Sequence, residues 1–301
     1  MVLMTRASDR LPRAAGRRRW RVALALAAAL TASACAGPPP VEQPEPVVVR
    51  AAVVPDKRPA PRPAPAPDLS GLLVVEPRVV VPGLPGDEGA EPVRTADGWQ
   101  TATVLRDTAA YDAPEGEAVG VLPARTLRYP TVLPVVGRQS GWVRVMVASR
   151  GALPSDDPER VNHRTAWVRV RDTRAGSTSW HVTVDLSEQT MTVDDGERTR
   201  VLPVLATGRP GVTPTPMGRQ FVVGPFWDEP GTTTPRVILL STQSETMDDY
   251  DRRTGTSATA FHTTTLRATG QVSNGCVRVT DEVLDVLWHR VPPGTLVDVV
   301  P

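Results

Sequence analysis

Cysteine is scarce: Cys35 and Cys276, far apart in the chain, are the two in 301 residues. That excludes a disulfide scaffold and a thiolate-rich metal site. Histidine is scarce as well, and His163, His181, His262 and His289 form no H-x-x-x-H or H-x-H pair, so a zinc hydrolase is not expected. No charge sign dominates. The 34 basic and 33 acidic residues leave a net charge of +1, which argues against a nucleic-acid surface built on bulk positive charge. No apolar run reaches the about 20 residues that a membrane-spanning helix needs. Proline is the excess, with 32 residues, more than one globular core absorbs.

The N-terminus reads as an export signal. Arg6, Arg10, Arg13, Arg17, Arg18, Arg19 and Arg21 precede the apolar run Val22–Leu30, and the small residues Ala32-Ser33-Ala34 follow. Charged start, apolar middle and small-residue exit describe a signal peptide over residues 1–34, so the mature chain is expected outside the cytoplasm, in the cell envelope. Cys35 directly after Ala32-Ser33-Ala34 resembles a bacterial lipobox, which implies a lipid anchor on Cys35 as the contact with the membrane. Residues 35–97 form the next compositional block. Eleven prolines fall between Pro38 and Pro67, favouring extended polyproline II over helix or sheet, and the expectation is a disordered stalk.

Two folded units are expected after the stalk, both mainly β. In residues 98–174 the short alternating runs Thr101–Leu105, Trp142–Val147 and Trp167–Val170 are separated by turn residues, as in a small β barrel. The repeated tetrad Trp-Val-Arg-Val, at Trp142–Val145 and Trp167–Val170, together with Tyr111-Asp112-Ala113-Pro114 resembles bacterial SH3-like modules. Both tryptophans are expected to pack in a core, and Ser149–Arg164 reads as an exposed loop. Residues 178–301 are long enough for a core of their own. Val182, Val184, Leu186, Met191 and Val193 alternate with polar residues, and Asp194-Asp195-Gly196 turns the chain into Val201–Ala206. One helix follows Thr280, capped by its hydroxyl, with Asp281 and Glu282 in its positively polarised first turn. Pro292-Pro293-Gly294 ends it, and Thr295–Val300 reads as a closing strand.

The chemistry is expected between His262 and Arg278. Cys276 lies in Ser273-Asn274-Gly275-Cys276-Val277-Arg278. A lone cysteine is commonly a small buried hydrophobe, but its neighbours point elsewhere. Gly275 lets the backbone approach a substrate, and Arg278 supplies a fixed cation that favours thiolate. A thiol of pKa about 8.5 is mostly protonated at neutral pH, so a histidine base is the expected partner, and His262 is the nearest in sequence.

His262 followed by Ser273-Asn274-Gly275-Cys276-Val277-Arg278 resembles the signature of the L,D-transpeptidase catalytic (YkuD-type) family. Thr207-Gly208-Arg209-Pro210-Gly211 through Thr213-Pro214-Thr215-Pro216-Met217-Gly218 resembles a second landmark of it, and Val182–Gln189 its opening strands. The sequence departs from the common pattern at Asn274, where many members carry histidine, and at Thr263, where glycine or serine is common. The resemblance implies a fold that is mainly β: a small SH3-like β barrel, then a β-rich catalytic domain with one or two short helices. It implies Cys276 as nucleophile and His262 as general base. The Gly275 and Cys276 amides would hold an oxyanion, with Ser273, Asn274, Arg278 and Thr263 shaping the oxyanion and substrate site. The imidazole's orienting group would be a backbone carbonyl. The implied substrates are peptidoglycan stem peptides, joined 3→3 through a Cys276 thioester, with no metal and no cofactor. Phe226–Pro235, with Trp227, is the candidate lid. The alternatives are a cysteine-dependent L,D-carboxypeptidase and a non-catalytic wall-binding lipoprotein. In an NlpC/P60 peptidase the cysteine precedes the histidine, the reverse of the order here.

Overall fold

Strand after strand along the chain carries the apolar alternation of a half-buried sheet, and in the computed structural model those strands form two large sheets. The structure describes residues 66–228, 231–249, 257–266 and 268–301. The expected signal peptide, Cys35 and the stalk as far as residue 65 lie outside the described residues. Among the described residues no helix is long and apolar enough to cross a membrane.

The first sheet comprises β1 (Arg94–Thr95), β2 (Gly98–Val104), β3 (Thr108–Tyr111) and β4 (Ala118–Leu122). A small hairpin, β5 (Arg125–Thr126) and β6 (Tyr129–Pro130), interrupts it before β7 (Val132–Gln139), β8 (Trp142–Met146), β9 (Thr165–Arg169) and β10 (Thr173–Thr178). The strand order is β1-β2-β7-β8-β9-β3-β4, with β10 paired to Trp99–Val104 of β2. Trp142 is buried edge-on against Tyr111, ring centroids 4.9 Å apart, and Trp167 packs beside them. Of the two tryptophans expected in a core, Trp142 is buried and Trp167 is half-buried against it.

The second sheet follows after two residues. Its strands are β11 (His181–Asp185), β12 (Thr190–Asp194), β13 (Thr199–Pro203), β14 (Ala206–Gly208) and β15 (Gly218–Trp227). The remainder are β16 (Arg236–Gln243), β17 (Ala258–His262), β18 (Gly270–Ser273), β19 (Val277–Arg278) and β20 (Leu296–Val300). The order is β13-β12-β11-β20-β15-β16-β17-β19-β14-β18. The helix, α1 (Asp281–Arg290), starts where the sequence places it. The Thr280 hydroxyl accepts from the Val283 amide at 3.3 Å, and Val283, Leu284 and Leu287 turn inward.

Successive residues of a strand face opposite sides, so the middle of the second sheet buries two faces. Val222, Ile238, Leu240, Val297 and Val299 face α1 and one core. Phe221, Val223, Leu239 and Leu296 face the other way, into a core shared with Val104, Leu133, Val135 and Val145 of the first sheet. Residues Pro63–Pro301 accordingly form one compact unit. A core confined to residues 178–301 was expected from length alone. The doubly buried strands instead leave one face of the second sheet covered by the first.

Two further expectations change. The stalk was expected to reach residue 97, but Val75, Val81 and Leu84 are buried in the shared core. Proline thins out after Pro67 while valine and leucine recur, and burial of these side chains outweighs the extended bias of the remaining prolines. Ser149–Arg164 was expected to be exposed, yet Ser149, Arg150, Val161 and Asn162 are buried. Several of their polar groups are met by specific partners. Arg150 donates to the Asp248 carbonyl at 2.6 Å, and the Asn162 amide donates to the Gln243 carbonyl at 2.9 Å while its oxygen accepts from the Gln243 amide.

Candidate active site

Sequence separation between His262 and Cys276 is removed by one strand pairing. His262 ends β17, and β19 runs parallel to it with Phe261 opposite Val277 and His262 opposite Arg278. Cys276 immediately precedes β19. Parallel neighbours lie about 4.8 Å apart, and Cys276 stands two residues before the position opposite His262, so the two side chains fall on the same face of adjacent strands. Both line a cavity of about 640 Å³. That volume suits a short peptide.

The imidazole is held in one tautomer. Nδ1 of His262 lies 2.8 Å from the carbonyl oxygen of Thr263. A carbonyl only accepts, so Nδ1 carries the proton and Nε2 keeps a lone pair. The ring is 6% exposed. Burial pushes its pKa below the ordinary 6.5, the Thr263 hydrogen bond works in the opposite direction, and the Arg278 charge lowers it again. His262 is therefore neutral at neutral pH, the state a proton acceptor requires.

The cysteine loop is stapled from inside. Ser273, 1% exposed, donates its hydroxyl to the Cys276 carbonyl at 2.6 Å and accepts the Gly275 amide at 3.1 Å. Gly275 has φ of +108°, and a Cβ there would lie 3.2 Å from the Pro214 carbonyl oxygen. Glycine is required for both reasons. The second sequence landmark forms the backing of this loop. The Thr213 hydroxyl donates to the Ser273 carbonyl at 2.9 Å, and Arg209 reaches the Asn274 side-chain oxygen at 3.3 Å. β14 pairs with both β18 and β19 and so carries that backing into the sheet.

Ser273, Asn274, Cys276, Arg278 and His262 are brought together on the cavity wall. Arg278 is half-buried, and its Nε has no hydrogen-bond partner among the described residues. Two expected roles change with the geometry. Gly275 does not line the cavity, and its amide, expected to face an oxyanion, is occupied by Ser273. Thr263, expected among the substrate-shaping residues, is buried behind the imidazole and acts through its carbonyl. The group that Nδ1 meets is a backbone carbonyl, the kind expected to orient the ring.

Phe226, Asp228, Thr233 and Thr234, from the segment expected to cover the cleft, do line the cavity. Trp227 does not; it is 69% exposed and meets Trp288 edge-on, centroids 5.6 Å apart. Sequence reasoning missed Glu76, Pro77, Arg78, Thr126 and Leu127, which complete the lining from the N-terminal side. The first three sit in the proline-rich block, where their one visible signal is the Leu/Val density around them.

Residues 179–299 match the family model YkuD, described as the L,D-transpeptidase catalytic domain. No curated protein matches the chain. Solved structures similar to it include an L,D-transpeptidase from Mycobacterium smegmatis, at 13% identity and TM-score 0.33, covering 53% of this chain and 91% of that one. L,D-transpeptidase 3 from Mycobacterium tuberculosis gives 16% identity and TM-score 0.34, covering 53% and 92%. An L,D-transpeptidase from Mycobacterium tuberculosis H37Rv gives 16% and 0.35, covering 53% and 90%. At these scores the structures add no argument, and the assignment rests on the family match. Residues 179–299 are therefore assigned to the L,D-transpeptidase catalytic domain family YkuD, a family whose members act on peptidoglycan stem peptides outside the cytoplasm.

Proposed function

We propose that this chain is a peptidoglycan L,D-transpeptidase that forms 3→3 cross-links through a thioester on Cys276. The observation that supports the reading is that Cys276 lines one cavity with a buried, neutral His262 whose Nδ1–H is fixed on the Thr263 carbonyl. Nε2 of His262 takes the thiol proton as Sγ attacks the carbonyl carbon of the third residue in a donor stem. The C–N bond to the terminal D-alanine breaks, and the imidazolium returns its proton to the departing amine. The amine of an acceptor stem then attacks the thioester, its proton passes to Nε2, and the C–S bond breaks to restore the thiol. A neutral base beside the nucleophile supplies what general-base catalysis needs, a contribution of about 10² to 10⁴ in rate. Arg278, in register with His262 and lining the cavity, would favour the thiolate and the developing oxyanion.

The chain would work from the membrane, with the mature N-terminus lipidated at Cys35 and the first β module placed over the wall as an SH3-like unit. Wild-type protein should then partition with membranes, and Cys35→Ser should release it. Recovery of wild type wholly in the soluble fraction would remove the anchor and leave the enzyme reading intact.

The enzymatic reading is tested with purified protein and disaccharide stem tetrapeptides, products read by mass spectrometry. Release of D-alanine with a dimer of tetrapeptide and tripeptide stems is expected. D-alanine release with only the free tripeptide would make the protein an L,D-carboxypeptidase.

A further inference from the structure

The catalytic cavity is closed on one side by residues that belong to no part of the catalytic domain. Glu76, Pro77 and Arg78 lie in a turn of the segment that precedes the first sheet, and Thr126 and Leu127 in the β5–β6 hairpin. That turn is held at both ends. The Val75 amide donates to the Val121 carbonyl and the Val81 amide to the Arg150 carbonyl, both at 2.8 Å. Val75 and Val81 are buried, and the Glu76 carbonyl accepts from the Ser149 hydroxyl at 2.9 Å. Backbone so fixed presents its side chains at a defined place. The hairpin tip supports the same assignment. Leu127 and Arg128 have φ of +50° and +70°, a conformation usually left to Asn-Gly, and such strain collects where a side chain must be aimed.

What the turn presents is a pair of opposite charges. Among the described residues the Glu76 and Arg78 side chains make no hydrogen bond or ion pair, although both line the cavity that holds Cys276. Opposite charges left apart at a site's edge match a ligand that carries both signs. We propose that Glu76 and Arg78 read the acceptor stem, Arg78 pairing with a carboxylate adjacent to the attacking amine and Glu76 drawing the ammonium form toward the cleft, where it gives up one proton through the Glu76 carboxylate to solvent and attacks as the neutral amine. Arginine suits a carboxylate because its planar fork donates two parallel hydrogen bonds. The N-terminal module is thereby a specificity-determining half of the cleft, and the acceptor class is an amine that bears its own carboxylate.

This inference rests on the transpeptidase reading and is tested separately from it. Transfer is measured with the full mature chain, using two acceptors that differ only in whether the carboxylate beside the amine is free or amidated. The wild type should show a KM about five- to tenfold lower for the free carboxylate, the range of one partly exposed charge-assisted pair. Arg78→Ala should equalise the two KM values with kcat little changed, and Arg78→Lys should restore part of the preference. Glu76→Gln should raise KM for both acceptors alike. Arg290→Ala, on an exposed helix end outside the cavity lining, serves as the charge control and should keep the preference. Transfer by wild type with no preference, or a preference that survives Arg78→Ala, overturns the acceptor assignment alone. Absence of acylation at Cys276 in the wild type would overturn the transpeptidase reading and this inference with it.

Discussion

Cutting the chain at Thr178 separates the second sheet from the first and exposes Phe221, Val223, Leu239 and Leu296 together. Each is within 9% of complete burial in the intact protein. Fully burying an apolar side chain of this size is worth about 1.5–3 kcal/mol, so the cut removes roughly 6–12 kcal/mol of burial, an upper estimate. Whole domains are stable by about 5–15 kcal/mol. A protein comprising Thr178–Pro301 should therefore lack a cooperative urea transition, bind a hydrophobic dye and associate, while a protein beginning at Pro67 should unfold cooperatively. Trp180, Trp227 and Trp288 provide the fluorescence signal in both. Leu239→Ala in the longer protein should cost about 2–5 kcal/mol, the range for a buried leucine. If the shorter protein unfolds cooperatively at the same urea midpoint, the shared core has been misjudged and the catalytic domain stands alone.

Three further outcomes follow from the site. Because burial and Arg278 hold His262 below its ordinary 6.5, the unfolded chain binds the proton more readily. His262 therefore contributes stability that is fully present above pH 6.5 and is lost as pH falls from there toward the folded value. Comparing urea midpoints across that window for wild type and His262→Gln should show the wild type's pH slope reduced in the variant; equal slopes would place the dependence elsewhere. Ser273→Ala removes both bonds that close the Cys276 loop and should destabilise by about 1–3 kcal/mol with slower acylation. Unchanged acylation in that variant would mean the loop holds its shape without the hydroxyl. Gly275→Ala forces a Cβ against the Pro214 carbonyl at positive φ and should slow acylation far more than Asn274→Ala, whose side chain is exposed; the reverse order would contradict the geometry.

Much of the second sheet was legible because its strands announce themselves locally. Val182, Val184, Met191 and Val193 alternate cleanly, and Thr280 with Asp281 and Glu282 marks the helix start at the residue observed. Cys276 and His262 stood out in the sequence as candidates, and the pairing of β17 with β19 brings them to one cavity. Less visible was anything set by packing between sheets. Val222 and Phe221 are both apolar, so nothing local tells which faces α1 and which faces the first sheet. Arg150 and Asn162 read as surface residues, since their polar partners, the Asp248 and Gln243 main chains, are distant in sequence. Glu76 and Arg78 were hidden for a different reason. The prolines around them suggest extended chain, and only the tertiary bonds to Val121 and Arg150 bend that chain across the cleft.

In the proposed mechanism the chemistry turns on a single sulfur atom, and intact-protein mass after exposure to a carbapenem reports on it directly. A soluble protein beginning at Pro67 contains Cys276 as its sole thiol. Wild type should gain the mass of one drug molecule, Cys276→Ala should gain none, and His262→Ala should acquire the adduct about 10² to 10⁴ more slowly. An adduct that forms at the wild-type rate in Cys276→Ala would contradict the cysteine mechanism outright.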